Sequence, residues 1–141
     1  MLNVTVLCAG NLKEEYLRLA VAEYSKRLSS YCKLRIIELK DGTPMLPYIK
    51  SQAYNIALCI EGKELSSPAL AELVEKTAVS GKSEICFVIG ESDGLDERVK
   101  NACDFRLSFS PMTFPHQLMR VILLEQIYRS FTIINGGKYH K

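Results

Sequence analysis

The chain has 141 residues, 48% of them hydrophobic and 24% charged, and a formal net charge of +2. That is enough chain for one domain around one core, and too much apolar content for a disordered segment. No apolar run approaches a membrane span, and so small a net charge confines any nucleic-acid surface to a local patch.

The opening "MLNVTVLCAG" lacks a basic leader and alternates like a strand, so it reads as structure and not as a signal peptide. Residues 2–8 form the first strand and "AGNL" breaks it. From 14 to 31, Leu17, Ala20, Val21, Tyr24, Leu28 and Tyr31 recur at helical spacing and make one buried stripe. "KLRIIEL" (33–39) is a second strand. Residues 40–53, with a glycine and two prolines, read as loop. "YNIALCI" (54–60) is a third strand, apolar enough to be buried on both faces. Ser67 caps the next helix with Pro68 at its first position, and the helix runs to about Ser80 before Gly81. "EICFVI" (84–89) is a fourth strand, 95–103 a short helix, and "FRLSF" (105–109) a fifth strand. Pro115 opens a long helix that ends near Phe131, and "INGG" precedes a tail, "KYHK".

Alternating strands and helices predict an α/β layer structure, a largely parallel sheet flanked by helices, in a single domain over 1–141. Such sheets bind ligands beyond the carboxyl ends of their strands. The candidate loops are therefore "EGKELSS", "GESDG" and "SPMTFP". The five cysteines are odd in number, scattered and never paired as C-x-x-C, which points to buried thiols in a reducing compartment. Two histidines, His116 and His140, are too few for a histidine-rich metal cluster, and no metal is expected.

Gly90-Glu91-Ser92-Asp93-Gly94 satisfies G-x-S-x-G between a strand and a helix, the setting of a hydrolase nucleophile. Asp96 or Asp104, then His116 or His140, follow in a permitted order. The chain is short for such a hydrolase and no HGGG-type segment precedes the serine. The preferred reading is a glycine turn where backbone bends sharply or approaches a ligand. Lys63, beside a glycine but without the earlier glycine of a phosphate loop, faces either solvent or a substrate phosphate.

The long helix carries Leu118, Val121, Ile122, Leu124, Ile127, Tyr128 and Phe131 at nearly every angle, so it is buried on two sides. A second subunit is the expected cover, giving a symmetric dimer; a helix enclosed within one domain is the alternative. His116 and Arg120 share a face of its first turn, where the dipole is positive. Arg129 follows Glu125 by four residues, the spacing of an intrahelical ion pair. In the tail, an aromatic ring, an imidazole and two lysines suit a stacked base and held phosphates.

With these residues in view, "CFVIGESDGL", "LSFSPMTFPHQLMRVILLEQIYRSFTI" and the terminal "YHK" resemble the SPOUT methyltransferases, which carry a C-terminal trefoil knot. More narrowly, they are similar to the ribosomal RNA large subunit methyltransferase H family, over nearly the whole chain. The resemblance implies a cytoplasmic homodimer that binds S-adenosyl-L-methionine and methylates N3 of a pseudouridine in large-subunit ribosomal RNA, on the assembled ribosome. Its cofactor contacts fall here on Leu58, Gly90, Phe109, Ser110, Pro111, Met112, Thr113 and Phe114. Two positions depart from the family pattern: Glu91 stands where relatives carry a second glycine, and Cys59 where they carry an acid. The segment 40–52 also looks shorter than in many relatives.

A sulfonium methyl is already activated, so the enzyme has to align donor and acceptor and stabilise the imide anion. His140 is the expected base or anion partner and Tyr139 orients the substrate base. Arg120 and Lys141 hold phosphate or the developing negative oxygen. Lys138, Lys63 and His116 complete the expected RNA contacts. A mobile tail also suits completion of the partner subunit's site. The remaining alternative is a ribosome assembly factor that keeps the fold without catalysis.

Overall fold

The computed structural model describes residues 1–141 as five parallel strands and four α-helices. The strands are β1 (Asn3–Ala9), β2 (Lys33–Leu39), β3 (Tyr54–Glu64), β4 (Glu84–Ile89) and β5 (Phe105–Ser108), in the spatial order β2-β1-β4-β3-β5. The helices are α1 (Glu15–Leu28), α2 (Ser67–Val79), α3 (Glu97–Ala102) and α4 (His116–Ile134), with a 3-10 turn at Leu46–Tyr48.

The two-residue period of the strands sorts side chains onto two faces. On one face Val4, Val6 and Cys8 of β1, Ile56 of β3 and Ile85, Phe87 and Ile89 of β4 pack with Leu28, Leu70, Val74, Leu123, Leu124, Ile127 and Phe131 from α1, α2 and α4. On the other, Leu7, Ala57, Cys86 and Val88 meet Leu95 and Val99 near α3, with Met45 and Ile49 beside them. The segment 40–53 thus covers a sheet face, although its sequence reads as loop.

The register explains why β1 and β4 are so apolar. Val6 lies between Ile36 of β2 and Phe87 of β4, with neighbours on both sides and layers above and below. β2 is an edge strand, and its burial alternates accordingly.

Several boundaries differ from the sequence reading: α1 ends at Leu28, short of Tyr31, and α3 spans only Glu97–Ala102. Ser66, not Ser67, caps α2: its side chain accepts from the Ala69 N–H at 3.1 Å, and Pro68 sits one place further in. β3 runs on to Glu64, because a bulge interrupts it rather than a loop ending it. Leu58 and Lys63 both stand opposite Leu107 of β5, so residues 59–62 arch out between them. α4 extends to Ile134, beyond Phe131.

α4 runs between α1 and α2 and over the sheet. Leu123, Leu124, Ile127 and Phe131 face the core. Tyr128 packs on Tyr24 and Tyr31 of the α1 side, with ring centroids 6.4 and 6.1 Å away, and Gln126 bonds Ser67 of α2 at 2.6 Å. Much of the all-round apolar character of α4 is therefore satisfied within one chain.

Candidate functional site

The strand ends of β3, β4 and β5 open into a cleft enclosing about 690 Å³ of empty space that reaches solvent. Leu58, Cys59 and Ile60 form one wall, Ile89 to Ser92 and Gly94 a second, and Leu107 to Ser110 with Met112, Thr113 and Phe114 a third. His116 and Met119 of α4 close the base. Of the eight expected cofactor contacts, seven line this cleft: Leu58, Gly90, Phe109, Ser110, Met112, Thr113 and Phe114. Pro111 does not; it is exposed and stiffens the loop from outside.

Each wall has a local cause. The bulge in β3 turns Leu58, Cys59 and Ile60 toward the cleft, and Gly62 lets the strand return: a Cβ there would lie 2.7 Å from the Arg106 carbonyl carbon. The "GESDG" turn closes with the Gly94 N–H donating to the Glu91 carbonyl at 2.9 Å, and Gly94 takes φ +90°. A Cβ on Gly90 would meet the Gly94 carbonyl oxygen at 2.7 Å, so that position is tight against the turn itself. In the third wall the Ser110 side chain accepts from the Met112 N–H at 3.0 Å, while the N–H groups of Ser110, Thr113 and Phe114 have no partner in the chain. Free backbone donors beside apolar walls suit a flat heteroaromatic ligand with acceptor nitrogens.

Past Glu91, Ser92 and His116 the cleft continues into a recess without a single apolar residue, lined also by Gly10, Asn11, Lys13, Asp41, Gly42 and Gln117. Glu91 accepts from the Gly42 N–H at 3.3 Å and so ties the β4 turn to the segment after β2. Ser92 is exposed and makes no hydrogen bond to a histidine or an acid, and no residue but glycine has positive φ. The strained serine of a nucleophile elbow is absent, which removes the hydrolase reading.

Arg120 is engaged inside the fold. Its side chain is 3% exposed; one guanidinium nitrogen donates to Glu38 at 2.9 Å and another to the carbonyls of Ala9 and Gly10 at 2.8 and 2.6 Å. Buried and engaged in this way, it locks the start of α4 to the ends of β1 and β2. Sequence spacing put it beside His116, but only the folded register shows Glu38 waiting for it. Lys63 is exposed and lies outside the cleft lining, while His116 lies within it.

The tail folds back on the far part of α4. Tyr139 donates its hydroxyl to Glu125 at 2.6 Å and rests edge-on against Tyr128, 4.9 Å between centroids. The Glu125 carboxylate thereby holds the Tyr139 phenol above its ordinary pKa. His140 Nδ1 lies 3.1 Å from Arg129, which also stacks over Tyr139 at 4.7 Å. Lys138 and Lys141 are exposed on either side. Met119, in the cleft, and Arg129 are ten positions apart, about 15 Å along the helix, so Tyr139 and His140 do not line the cleft of their own chain. Glu125 and Arg129 were legible only as an ion pair; that the pair also seats the tail was not.

A family model described as "Predicted SPOUT methyltransferase" matches residues 2–140. The chain is 50% identical to "Ribosomal RNA large subunit methyltransferase H" of Clostridium novyi (strain NT), with 99% of this chain and all of the relative aligned. The chain belongs to the SPOUT methyltransferases, within the ribosomal RNA large subunit methyltransferase H family. The protein of the same description from Clostridioides difficile (strain 630) is 48% identical over the same shares. Both alignments span 159 positions, so this SPOUT chain of 141 residues is the more compact. The fold agrees with two solved structures at low identity. A probable methylase family protein from Haemophilus influenzae Rd KW20 superposes with TM-score 0.63 at 12% identity, over 98% of this chain and 70% of that one. The tRNA (m1G37) methyltransferase of Aquifex aeolicus gives 0.57 at 16%, over 99% and 74%.

Proposed function

We propose that this chain is an S-adenosyl-L-methionine-dependent methyltransferase acting on N3 of a pseudouridine in the large-subunit ribosomal RNA. The observation that carries the reading is the cleft at the strand ends, whose third wall offers three unpartnered backbone N–H groups beside Phe109, Met112 and Phe114. The full-length likeness to proteins described as ribosomal RNA large subunit methyltransferase H supports the substrate class.

S-adenosyl-L-methionine supplies an activated methyl group on a positively charged sulfur. The chain's own part is positional. The amides of Ser110, Thr113 and Phe114 would hold the adenine edge, Leu58 and Gly90 would bound the nucleoside, and the 109–114 loop would exclude water. The polar recess past His116 receives the RNA base, with Lys13 at its rim. Among the exposed cations, Lys138, Lys141 and Lys63 are those this reading assigns to the RNA backbone.

Because the tail sits far from its own cleft, Tyr139 and His140 serve the cleft of a second copy. The twofold pair uses the half-exposed Leu118, Val121 and Ile122 of α4 together with Tyr16 and Leu19 of neighbouring α1, which are 67% and 64% exposed. The threading of the C-terminal segment that characterises the family belongs to the same reading. No helix is long and apolar enough to cross a membrane; a ribosomal substrate fits a cytoplasmic enzyme.

The test is incubation with methyl-labelled S-adenosyl-L-methionine and ribosomes lacking the modification, followed by mapping of the modified base by mass spectrometry. One labelled N3-methylpseudouridine in the large-subunit RNA is expected. Ribosome association without any methyl transfer would make the protein an assembly factor and end this reading.

A further inference from the structure

α4 presents Glu125 and Arg129 one turn apart, and the two form a fork: Arg129 Nε and one terminal nitrogen donate to the two carboxylate oxygens at 3.1 and 3.3 Å. Their side chains are only 25% and 19% exposed, so the guanidinium is held in one orientation. The remaining terminal nitrogen, Nη1, points at His140 Nδ1, 3.1 Å away. Tyr139, bonded to Glu125 and stacked under Arg129, fixes the backbone that carries the imidazole.

A guanidinium nitrogen has hydrogens and no lone pair to offer, so in this contact His140 Nδ1 accepts. A neutral imidazole that accepts at Nδ1 carries its hydrogen on Nε2. Both ring nitrogens are then committed, one lone pair to Arg129 and one hydrogen to whatever lies beyond. We propose that Arg129 is a positioning residue which sets His140 in the Nε2–H form, so that the tail histidine meets the RNA base as a hydrogen-bond donor and not as a proton acceptor. This rests on the reading given above, in which the tail completes a methyltransferase cleft.

The chemistry of the acceptor agrees. N3 of pseudouridine lies between two carbonyl groups. When its proton passes to water, the negative charge spreads onto the flanking oxygens O2 and O4. N3 then bonds the methyl carbon as the carbon–sulfur bond breaks, and sulfur keeps that electron pair. A fixed N–H aimed at one of the oxygens lowers the energy of the anion before and during transfer. A ring nitrogen presenting a lone pair there would raise it.

Two measurements on the full chain test this. The protein has two histidines, so nitrogen-15 histidine labelling gives two ring systems, and the His140→Gln spectrum identifies which is His140. The His140 Nδ1 should resonate as an unprotonated nitrogen and Nε2 as a protonated one, with Arg129→Met producing a mixture of the two forms. Single-turnover transfer to unmethylated ribosomes then compares His140→Ala with His140→Gln, whose amide keeps a donor near Nε2 but cannot act as a base. Loss of one preorganised donor typically costs on the order of 10²-fold in rate. The alanine variant should show that loss and the glutamine variant recover most of it. A hydrogen on Nδ1, or a glutamine variant as slow as alanine, overturns the donor assignment while leaving the methyltransferase reading intact. An alanine variant as fast as the unaltered protein overturns both the assignment and the tail's part in the cleft. Absence of methyl transfer by the unaltered protein would instead defeat the methyltransferase reading.

Discussion

Arg120 and Glu38 are separated by 82 positions in the chain and meet at 2.9 Å, joining the first turns of α4 to the end of β2. Glu38 also accepts from the Leu12 N–H at 3.2 Å, so a single carboxylate organises the exit of β1, the exit of β2 and the entry to α4. Arg120 adds the Ala9 and Gly10 carbonyls to the same knot of contacts. The cleft base, His116 and Met119, stands on this joint.

Removing the guanidinium leaves the Ala9 and Gly10 carbonyls without that donor, while the Glu38 carboxylate, 38% exposed, keeps the Leu12 N–H and reaches water. Arg120→Ala should therefore destabilise the fold by about 1–3 kcal/mol, the usual cost of leaving buried acceptors unsatisfied, with little added by a pair whose carboxylate is in solvent. Denaturant unfolding measures it. A catalytic role would instead leave stability near that of the unaltered protein and abolish transfer alone.

Gly62 makes a second steric prediction. The atoms a Cβ would strike, in Arg106 and Leu107, are backbone atoms of β5 paired to β3, so they cannot retreat without loosening the strand pair. Gly62→Ala should cost about 1–3 kcal/mol, as overpacking does. Faster amide exchange at the β3–β5 pairing should accompany it. Unchanged exchange there would mean that the bulge adapts elsewhere.

How far all this was legible depends on range. The strands, the helices and the cleft loops follow from period-two and period-3.6 patterns and from glycine and proline, all of which act locally. The seven cleft-lining residues named in advance came from the family resemblance: five lie in the loop between β5 and α4, and Leu58 and Gly90 come from β3 and from the turn after β4. The bulge at 59–62 was missed since "EGKE" carries no apolar alternation to mark a strand. The contact of Arg120 with Glu38 was not legible because arginine at a helix start looks the same whether its partner is a ligand or a distant carboxylate. Of the apolar girdle of α4, the part covered by α1, α2 and the sheet was not separable in sequence from the half-exposed Leu118, Val121 and Ile122.

The cysteines predict an alkaline limit to stability. Burial alone pushes the Cys32 thiol up to about 11 from an ordinary value of 9.0, and burial raises Cys8 to about 11 and Cys86 to about 12. A thiol whose folded pKa is raised stabilises the fold fully below the unfolded value. That contribution is lost as pH rises through the folded value. Unfolding free energy should fall between about pH 9 and about pH 11, each such thiol contributing a slope of about 1.4 kcal/mol per pH unit. Cys32→Ala, whose methyl cannot ionise, should be less stable than the unaltered protein at neutral pH and close part of that gap across the window. A constant gap would mean that Cys32 ionises as easily folded as unfolded.

Glu91 is the position at which this chain places a carboxylate in the turn beside the cleft. It borders both the apolar cleft and the polar recess, and its contact with the Gly42 N–H keeps it half-buried there. The methyl donor carries a positive sulfur and the demethylated product a neutral one, so a nearby carboxylate distinguishes them by charge. At about 4 Å the attraction ranges from about 1 kcal/mol in water to about 4 kcal/mol near a protein surface; with Glu91 partly in solvent, the lower figure applies. Glu91→Gln keeps the oxygen that accepts from Gly42 and removes only the charge. Calorimetry should show S-adenosyl-L-methionine binding about fivefold more weakly to this variant and S-adenosylhomocysteine binding as before. Equal weakening of both ligands would assign Glu91 to the shape of the turn, and the same affinities as the unaltered protein would remove it from the cofactor site.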